Sequence, residues 1–428
     1  MFHAFRKRCT ELIAACVLCV AAPVLAQTQD QPSAPQQPAP QPPAPQPPAT
    51  QPPTQPPTPQ PPAGQPPTQP PAGQPPQNPP PPQNPPAPQP PTQEPPPPPL
   101  PPQLSPAASK VFNPDMAVIG DFIGAAGSNK VAPIPALEMH ETELSFQAIV
   151  DPYARADFFL SMTDSSISVE EGFITFPTLP GGLLLKVGKM KAQFGKVNTM
   201  HSHVLPWVDV PLVMTNLLGG EDGINDDGMS ISKLILNPFL FLEATGEVYN
   251  GNNGIWKSHK RSDLGYVGRL RGYRDLTEGT NLDLGTSYSY GHNDAGADFT
   301  TQIIALDATI RYRPLRRAIY RRFIGRTELM WSRRGQPTGN ANAFGMYASV
   351  DYQFSQRWFA GVRIDLSDRA TDPTKRDRSQ SLLLTYWPSE FSQIRGQYRR
   401  TAYADGPTAN ELLFQFLFSI GAHGAHVF

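Results

Sequence analysis

The stretch IALDATIRYR, residues 304–313, decides the fold because its apolar and polar side chains alternate. Ile304, Leu306 and Ile310 share one parity, whereas Asp307 and Arg311 share the other. Successive side chains of a β-strand point to opposite faces, so this strand has one apolar face and one charged face. Charged inner faces, repeated strand after strand, cannot form the core of a soluble sandwich. The pattern predicts a closed, membrane-spanning barrel with a wet interior and an apolar exterior.

The same alternation recurs along residues 111–428 and predicts an all-β, antiparallel up-and-down barrel of about 16 strands, an even number as in single-chain bacterial barrels. Connections after even strands are mostly tight and many of those after odd strands are longer, so both chain ends are expected in the periplasm. The predicted strands are 115–126, 137–149, 152–164, 166–177, 183–191, 229–236, 239–249, 263–275, 280–292, 299–314, 321–334, 342–355, 357–368, 378–388, 391–403 and 410–421.

Residues 1–26 have the features of a signal peptide, which predicts export to the outer membrane of a Gram-negative-type bacterium. Basic residues at 6–8 precede a mostly apolar stretch at 12–25, and Ala26 ends a small-residue cleavage site. A lipoprotein box ending at Cys16 is the alternative, with a very short apolar stretch before it. All three cysteines lie in this segment, so the mature chain is expected to lack disulfides, thiol catalysis and cysteine metal sites.

Residues 27–110 predict a disordered, proline-rich periplasmic segment, because residues 32–106 hold 39 of the 54 prolines. Proline lacks a backbone donor and favours polyproline II, so this segment cannot pack a core. Fully extended at about 3.1 Å per residue, the proline tract would span roughly 230 Å. Composition favours a passive spacer, and the alternative is a tether that docks onto the cell wall.

The predicted barrel has halves of opposite charge, which would form opposed walls of the lumen. Residues 111–250 contain 17 acidic and 7 basic side chains, and residues 251–428 contain 16 and 24. These charges either set up a field across the pore or pair with each other and fill the lumen. From the alternation, the side chains predicted to point into the lumen are those of Glu141, Glu143, Asp157, Glu171, Arg269, Arg271, Arg311, Arg313, Arg326, Arg363, Arg395 and Arg399.

The longest predicted loop, residues 192–228, follows the fifth strand and is rich in turn residues. His201 and His203 could ligate zinc together with Asp209 or Glu221, but no third or fourth ligand has a fixed spacing, so neither a resident metal nor a cofactor is predicted. Enzyme signatures such as Gly-x-Ser-x-Gly and His-Glu-x-x-His are absent, so an enzyme is not predicted. The candidate constriction residues are His201, His203, Asp209, Glu221, Asp222, Asp226 and Asp227.

Residues 185–198, LKVGKMKAQFGKVN, resemble the "VGKF…FG…N" stretch of porins of the phosphate-selective O and P type. Residues 112–115, 201–211 and 420–428 resemble relatives of those porins that are labelled zinc-regulated, TonB-dependent outer-membrane receptors. The resemblance covers about residues 111–428 and implies a sixteen-stranded barrel, often a homotrimer, that passes small solutes or ions. It also implies that the loop at 192–228 folds into the barrel and narrows it. Phosphate-selective members line the pore with arginines and lysines, whereas this candidate constriction is acidic.

The predicted function is therefore an outer-membrane porin for small hydrophilic solutes or ions, whose inward loop and lumen charge set selectivity. Two alternatives remain: a metal-linked (zinc) receptor or transporter, and a barrel that anchors the proline-rich segment to the cell wall. The last strand, with an aromatic face and a terminal Phe428, predicts recognition by the barrel-assembly machinery. Outer-membrane lipids are expected partners and nucleic acid is not.

Overall fold

The computed structural model describes residues 114–421, so the predicted signal peptide, the proline-rich segment, His423, His426 and Phe428 lie outside the described residues. Among the residues described, no helix is both long and apolar enough to cross a membrane. The strands are β1 (Asp115–Ser128), β2 (Leu137–Asp151), β3 (Ala154–Met162), β4 (Ile167–Leu179), β5 (Leu183–Lys191), β6 (Asn225–Leu234), β7 (Phe241–Tyr249), β8 (Gly265–Thr277), β9 (Thr280–His292), β10 (Thr300–Tyr312), β11 (Arg322–Gln336), β12 (Gly339–Ser355), β13 (Trp358–Asp368), β14 (Arg376–Ser389), β15 (Ser392–Ala402) and β16 (Ala409–Gly421).

These sixteen strands close into one antiparallel barrel, which confirms the predicted fold class. Each strand pairs with its neighbour in sequence, and β16 pairs with β1 so that Ile119 lies opposite Ser419. The predicted strand bounds differ from the observed ones by at most four residues. The largest difference is at β6, which begins at Asn225 because its pairing with β5 continues as far as Lys191.

The barrel is apolar outside and polar inside, as β10 illustrates. Ile304 and Leu306 are 49% and 43% exposed on the outer surface, whereas Asp307 is 5% exposed and faces the interior. An aqueous protein would expose the opposite face, so this exterior fits the hydrocarbon of a bilayer. The period-two pattern of the sequence therefore sets which side chains reach the lumen.

Most connection lengths follow the predicted asymmetry. Strands β2 and β3, and β8 and β9, are joined by two-residue turns, whereas β5 and β6 are separated by residues 192–224. On the short-turn side, however, residues 313–321 form a longer connection between β10 and β11. On the long-loop side, β11 and β12 are joined tightly through residues 337–338.

Residues 192–224, called the constriction segment below, lie inside the barrel and contain two 3₁₀ turns and the short helix α1 (Leu212–Leu217). Its apolar side chains form a core with inward-facing side chains of the wall, and α1 contacts β12 and β13. Trp207 is 1% exposed and its ring meets Tyr347 edge-on at 5.1 Å. The segment is thus a folded insert whose own apolar residues attach it to the inner wall.

Candidate pore constriction

The two ends of the constriction segment are joined by one buried side chain, Asn198. Its amide nitrogen donates to Ala192 O at 2.9 Å and to Ile224 O at 3.1 Å, and its Oδ1 accepts from Ile224 N at 2.8 Å. Gly223 makes this possible, because its φ is +57° and an added Cβ would lie 2.0 Å from Asn198 Oδ1. These hydrogen bonds of Asn198 hold the first and last residues of the segment, Ala192 and Ile224, next to each other.

Just after the base, the backbone of the segment is held by Glu328 of β11. The Glu328 carboxylate accepts hydrogen bonds from Lys196 N at 2.8 Å and Val197 N at 2.7 Å. The preceding residue, Gly195, has a φ of +58° and donates from its nitrogen to Ser287 Oγ at 3.1 Å. The conformation and close approach require glycine here, since a Cβ would lie 2.6 Å from the Glu328 carboxylate.

The middle of the segment is held by Asp209, which is bound by two arginines of the wall. Arg363 of β13 and Arg399 of β15 each donate to Asp209 Oδ2 at 2.8 Å, and Gln397 donates to Oδ1. Burial alone would raise the pKa of Asp209, but the two guanidinium groups outweigh it and lower the pKa to about 2. Arg363 also lies 2.9 Å from Asp365, so its guanidinium group is shared between two carboxylates.

A third arginine, Arg395 of β15, supports the same part of the segment through its backbone. Its Nη1 donates to Leu205 O at 2.9 Å and to Trp207 O at 3.2 Å. It also donates to Gln415 Oε1 at 2.7 Å. Three inward arginines predicted from alternation, Arg363, Arg395 and Arg399, therefore bind the segment and are not open to a passing solute.

The start of the segment reaches the opposite wall, where His201 meets carboxylates of β2 and β4. His201 Nδ1 lies 2.5 Å from Glu143 Oε2, and its Nε2 lies 2.7 Å from Glu171 Oε2. Burial opposes protonation, yet hydrogen bonds to Glu143, Glu170 and Glu171 raise the pKa of His201. The adjacent Ser202 donates to Glu141, and Phe159 meets the His201 ring edge-on at 4.9 Å.

Two β-bulges add inward side chains that alternation alone does not place. The pairing of β1 with β2 skips His140, and the pairing of β3 with β4 skips Glu170. Glu170 is 8% exposed and lies 3.2 Å from both Lys191 Nζ and His201 Nδ1, although Glu171 next to it also faces inward. A bulge inserts one extra residue and redirects a side chain, so both glutamates can face the lumen.

His203 lies beside this cluster and is 6% exposed, with its Nδ1 at 3.5 Å from Glu143 Oε2. Burial lowers the pKa of His203, so its imidazole is held neutral. Glu143, His201 and His203 are grouped closely enough for one metal ion. The sequence-based zinc ligands were wrong in part, because Asp209 is bound by arginines and Glu221 pairs instead with His140 at 3.4 Å.

Two of the five acidic residues proposed for the constriction, Asp226 and Asp227, lie outside the constriction segment. Asp222 is exposed in the segment, and Asp227 is exposed on β6 with its side chain on the outward parity. Asp226 is also on β6, where its Oδ2 accepts from Gly251 N and Asn252 N at 2.8 and 2.7 Å. The boundary at residue 228 was wrong because β6 starts three residues earlier than Gly228.

The remaining lumen arginines pair mainly with carboxylates of their own wall, so the predicted positive wall is largely neutralised locally. Distances are 3.0 Å for Arg269 with Asp307 and 2.8 Å for Arg271 with Asp283, and Arg326 pairs with Asp351. On the predicted acidic wall, Asp157 of β3 pairs at 2.8 Å with Arg155 of the same strand.

An excess of positive charge remains around Asp283. Lys196 of the segment and Arg311 of β10 both lie 3.9 Å from its Oδ2, in addition to Arg271 at 2.8 Å. The side chains of Arg271 and Arg311 are each 36% exposed. Arg313 does not belong to this group, because β10 ends at Tyr312 and Arg313 is exposed beyond it, so its inward direction stays a prediction.

Two cavities border the constriction segment near the His201 cluster. One, of about 360 Å³, is lined by Glu141, Glu170 and Ser202 among others. The second, of about 500 Å³, includes Glu171 and Lys191 in its lining. The bulged pair Glu170 and Glu171 thus contributes one carboxylate to each cavity, and the cluster lies between two spaces that can hold water.

Comparison with solved structures places the fold among outer-membrane barrels, whereas no family model matches the chain. One similar structure is a loop L8 deletion mutant of OmpT, an outer-membrane protein of Vibrio cholerae, with a TM-score of 0.51 and 9% identity over 72% of this chain and 99% of that chain. Another is an anion-selective porin from Comamonas acidovorans, with a TM-score of 0.50 and 11% identity over 72% and 99% of the two chains. Likeness at this identity concerns the fold.

A relative is found by sequence in Aquifex aeolicus (strain VF5). This uncharacterized protein is 30% identical over 397 residues, which cover 76% of this chain and 82% of the relative. The closed barrel with its apolar exterior, and its likeness to outer-membrane proteins, confirm the predicted location. The chain therefore belongs to the same family as this Aquifex aeolicus protein, and its fold is a porin-type barrel of the Gram-negative outer membrane.

Proposed function

We propose that this protein is an outer-membrane porin that lets small hydrophilic solutes or ions diffuse through its lumen, without catalytic activity. The observation that carries the proposal is the constriction segment, which binds Glu143 of β2 through His201 and Arg363 of β13 through Asp209. The segment also contacts Glu171 of β4 through His201 and donates from Val197 N to Glu328 of β11. Strands β4 and β11 are seven places apart in the sixteen-stranded barrel, so the segment crosses the interior and would narrow it. The cavities of about 360 and 500 Å³ beside it provide aqueous space.

In this proposal, selectivity comes from two groups of charged side chains of opposite sign that lie beside the segment. Lys196, Arg271 and Arg311 surround the single carboxylate of Asp283. The glutamates around His201 form an acidic group on strands β2 and β4. Groups of opposite sign orient a dipolar solute and give modest net ion selectivity, in contrast to a ring of one sign.

The finer assignments rest on sequence resemblance. The stretch at 185–198 supports a relation to porins of the phosphate-selective O and P type, and Gly195 and Asn198 within it hold the constriction segment. The same resemblance supports a homotrimer. We retain residues 1–26 as a signal peptide and residues 27–110 as a periplasmic spacer that reaches toward the cell wall.

A second candidate is a metal-linked receptor or transporter, favoured by the grouping of Glu143, His201 and His203. A TonB-dependent transporter encloses a folded plug in a barrel of about 22 strands. The sixteen strands described here are fewer, and the proline-rich composition of residues 27–110 is unsuited to a packed plug. The porin therefore stays the leading proposal.

The test is single-channel recording in a planar bilayer with the purified full-length mature chain. Deleting residues 199–222 removes the crossing part but keeps Asn198 and Ile224 at the base, so conductance should rise. Deleting residues 131–133 of the exposed β1–β2 loop is the control and should leave conductance unchanged.

Both deletions must keep the different gel mobility of folded and boiled protein that a barrel shows. If the folded wild-type protein forms no channels, the porin proposal is contradicted. That result would favour the alternative of a barrel that anchors the proline-rich segment to the cell wall. Unchanged conductance after the 199–222 deletion would place the segment outside the conducting path.

A further inference from the structure

We infer that Glu143, His201 and His203 form a binding site for a divalent transition-metal ion of the zinc type, at the junction of the constriction segment with the barrel wall. Their candidate ligand atoms lie within 4.8 Å of one another. The inference does not depend on whether the barrel conducts, because it concerns binding by the folded chain.

One buried atom at this junction, His203 Nδ1, lacks a partner, which is the observation that separates it from an ordinary acidic cluster. Within residues 114–421 it accepts and donates no hydrogen bond, and Glu143 Oε2 lies 3.5 Å away. His203 is only 6% exposed, so solvent does not readily satisfy this atom. A buried polar atom without a partner costs about 1–3 kcal/mol, and a bound ion would remove that cost.

The spacing of these atoms suits a tetrahedral ion. Zinc bonds to nitrogen and oxygen of about 2.0–2.2 Å place neighbouring ligand atoms about 3.4 Å apart. His203 Nδ1 is 3.5 Å from Glu143 Oε2, and His201 Nδ1 is 3.2 Å from Glu170 Oε2. His201 Nδ1 and Glu143 Oε2, now at 2.5 Å, must separate, which follows when an ion replaces the proton between them.

A supporting carboxylate already orients His201. Its second ring nitrogen, Nε2, lies 2.7 Å from Glu171 Oε2. Metal-bound histidines commonly donate their other N–H to a carboxylate, which fixes the tautomer and raises ligand basicity. With Nδ1 on the metal and Nε2–H on Glu171, His201 would need no change of ring orientation.

The local charge also favours a dication. The carboxylates of Glu141, Glu143, Glu170 and Glu171 meet at this junction, where Lys191 lies 3.2 Å from Glu170. A doubly charged ion bound among four carboxylates reduces their mutual repulsion. Two imidazoles with a carboxylate select borderline transition metals over calcium and magnesium, which prefer oxygen ligands. The cavity of about 360 Å³ that Glu141 and Glu170 line supplies an entry path.

Isothermal titration of the EDTA-treated, detergent-folded full mature chain with zinc chloride tests the inference. One high-affinity ion per chain is expected, and calcium chloride should give no comparable signal. His203→Gln should weaken zinc binding at least tenfold, as removal of a direct ligand should cost no less than the tenfold reported for outer contacts. His259→Gln is the control, because the His259 Nε2 lies 2.9 Å from Asn293 O and the residue does not line the cavity of the cluster.

Cobalt(II) gives a readout that needs no variant, since a tetrahedral nitrogen–oxygen site produces strong visible absorption that zinc then abolishes. Should His203→Gln misfold, Glu143→Gln provides the same comparison with a nearly isosteric side chain. The inference is overturned if folded wild-type protein fails to bind zinc, if His203→Gln binds as tightly as wild type, or if His259→Gln weakens binding equally. Channel recordings in EDTA remain a separate test of the porin proposal.

Discussion

Asp209 accepts a 2.8 Å hydrogen bond from Arg363, although the two residues are 154 positions apart in the chain. Arg363 is 1% exposed, so its charge is balanced by Asp209 and Asp365 and not by solvent. The guanidinium is also 5.0 Å from the Trp207 ring. This contact fixes the middle of the constriction segment, and its loss should release the segment from β13.

Asp209→Asn should loosen the segment without opening the barrel. Removing one partner of a buried ion pair costs about 3–5 kcal/mol, because the other charge is left uncompensated. Thermal conversion of folded to heat-modified protein should move to lower temperature, and single-channel current should become noisier. Asp405→Asn is a suitable control, since Asp405 pairs with Arg369 at an exposed position. Equal effects from both variants would contradict a special role for Asp209.

The contribution of Asp209 should disappear in acid. Its pKa is about 2 in the folded protein against an ordinary value of 3.8, so folding favours the ionised form. The resulting stabilisation, roughly 2 kcal/mol from the lowered pKa, is complete above about pH 4 and is lost as pH falls toward 2. The difference between wild type and Asp209→Asn in unfolding temperature should therefore be constant near pH 6 and shrink in that window. A difference independent of pH would contradict the lowered pKa.

Gly223→Ala should break the closure at the base of the segment. The new Cβ would lie 2.0 Å from Asn198 Oδ1, and φ is +57°. Backbone strain and steric conflict together should destabilise the segment by about 1–3 kcal/mol, measured by limited proteolysis of the folded protein. Gly182→Ala isolates the backbone part, because Gly182 has a φ of +70° and no atom within 4 Å of an added Cβ. Faster cleavage in Gly223→Ala than in Gly182→Ala is the expected result.

Arg311→Gln should shift ion preference toward cations. It removes a half-exposed charge from the group around Asp283 while Arg271 keeps its 2.8 Å pair. Reversal potentials in a salt gradient should move more at low salt, since screening limits the field to about 10 Å at 0.1 M. Arg313→Gln, beyond the end of β10, should leave them unchanged. If both variants behave alike, Arg311 does not line the conducting path.

Period-two alternation was sufficient to predict the strands, because the bilayer and the lumen impose opposite polarity on the two faces of every strand. It places Ile304 outside and Asp307 inside, as the structure has them. The same argument could not supply Glu170, because a bulge breaks the alternation that would otherwise turn it away from its neighbour Glu171. Two adjacent acidic residues in a strand are a weak signal for such a bulge.

The sequence could not predict which lumen side chains pair with each other. Alternation gives the face of the strand on which a side chain lies, but not its position along the barrel axis or its contacts with distant parts of the chain. Asp209 was a zinc candidate in sequence, yet Arg363 and Arg399 bind it. His201 and His203 were identified, but their partner Glu143 comes from β2 and was predicted only as lumen charge. The folded path of residues 192–224 decides these contacts, and it depends on the apolar core that Trp207 and Tyr347 share.

The bulges at His140 and Glu170 are features that a single-residue insertion or deletion could create or remove during evolution. Each is a single additional residue, and the pairing with the same neighbouring strand resumes on both sides of it. Loss of the codon for Glu170 would restore uninterrupted pairing of β3 with β4 and take one carboxylate from the His201 cluster. A one-codon deletion or insertion could therefore remove or create this part of the site in homologous barrels while the flanking strand surface, and its fit to lipid, stays the same.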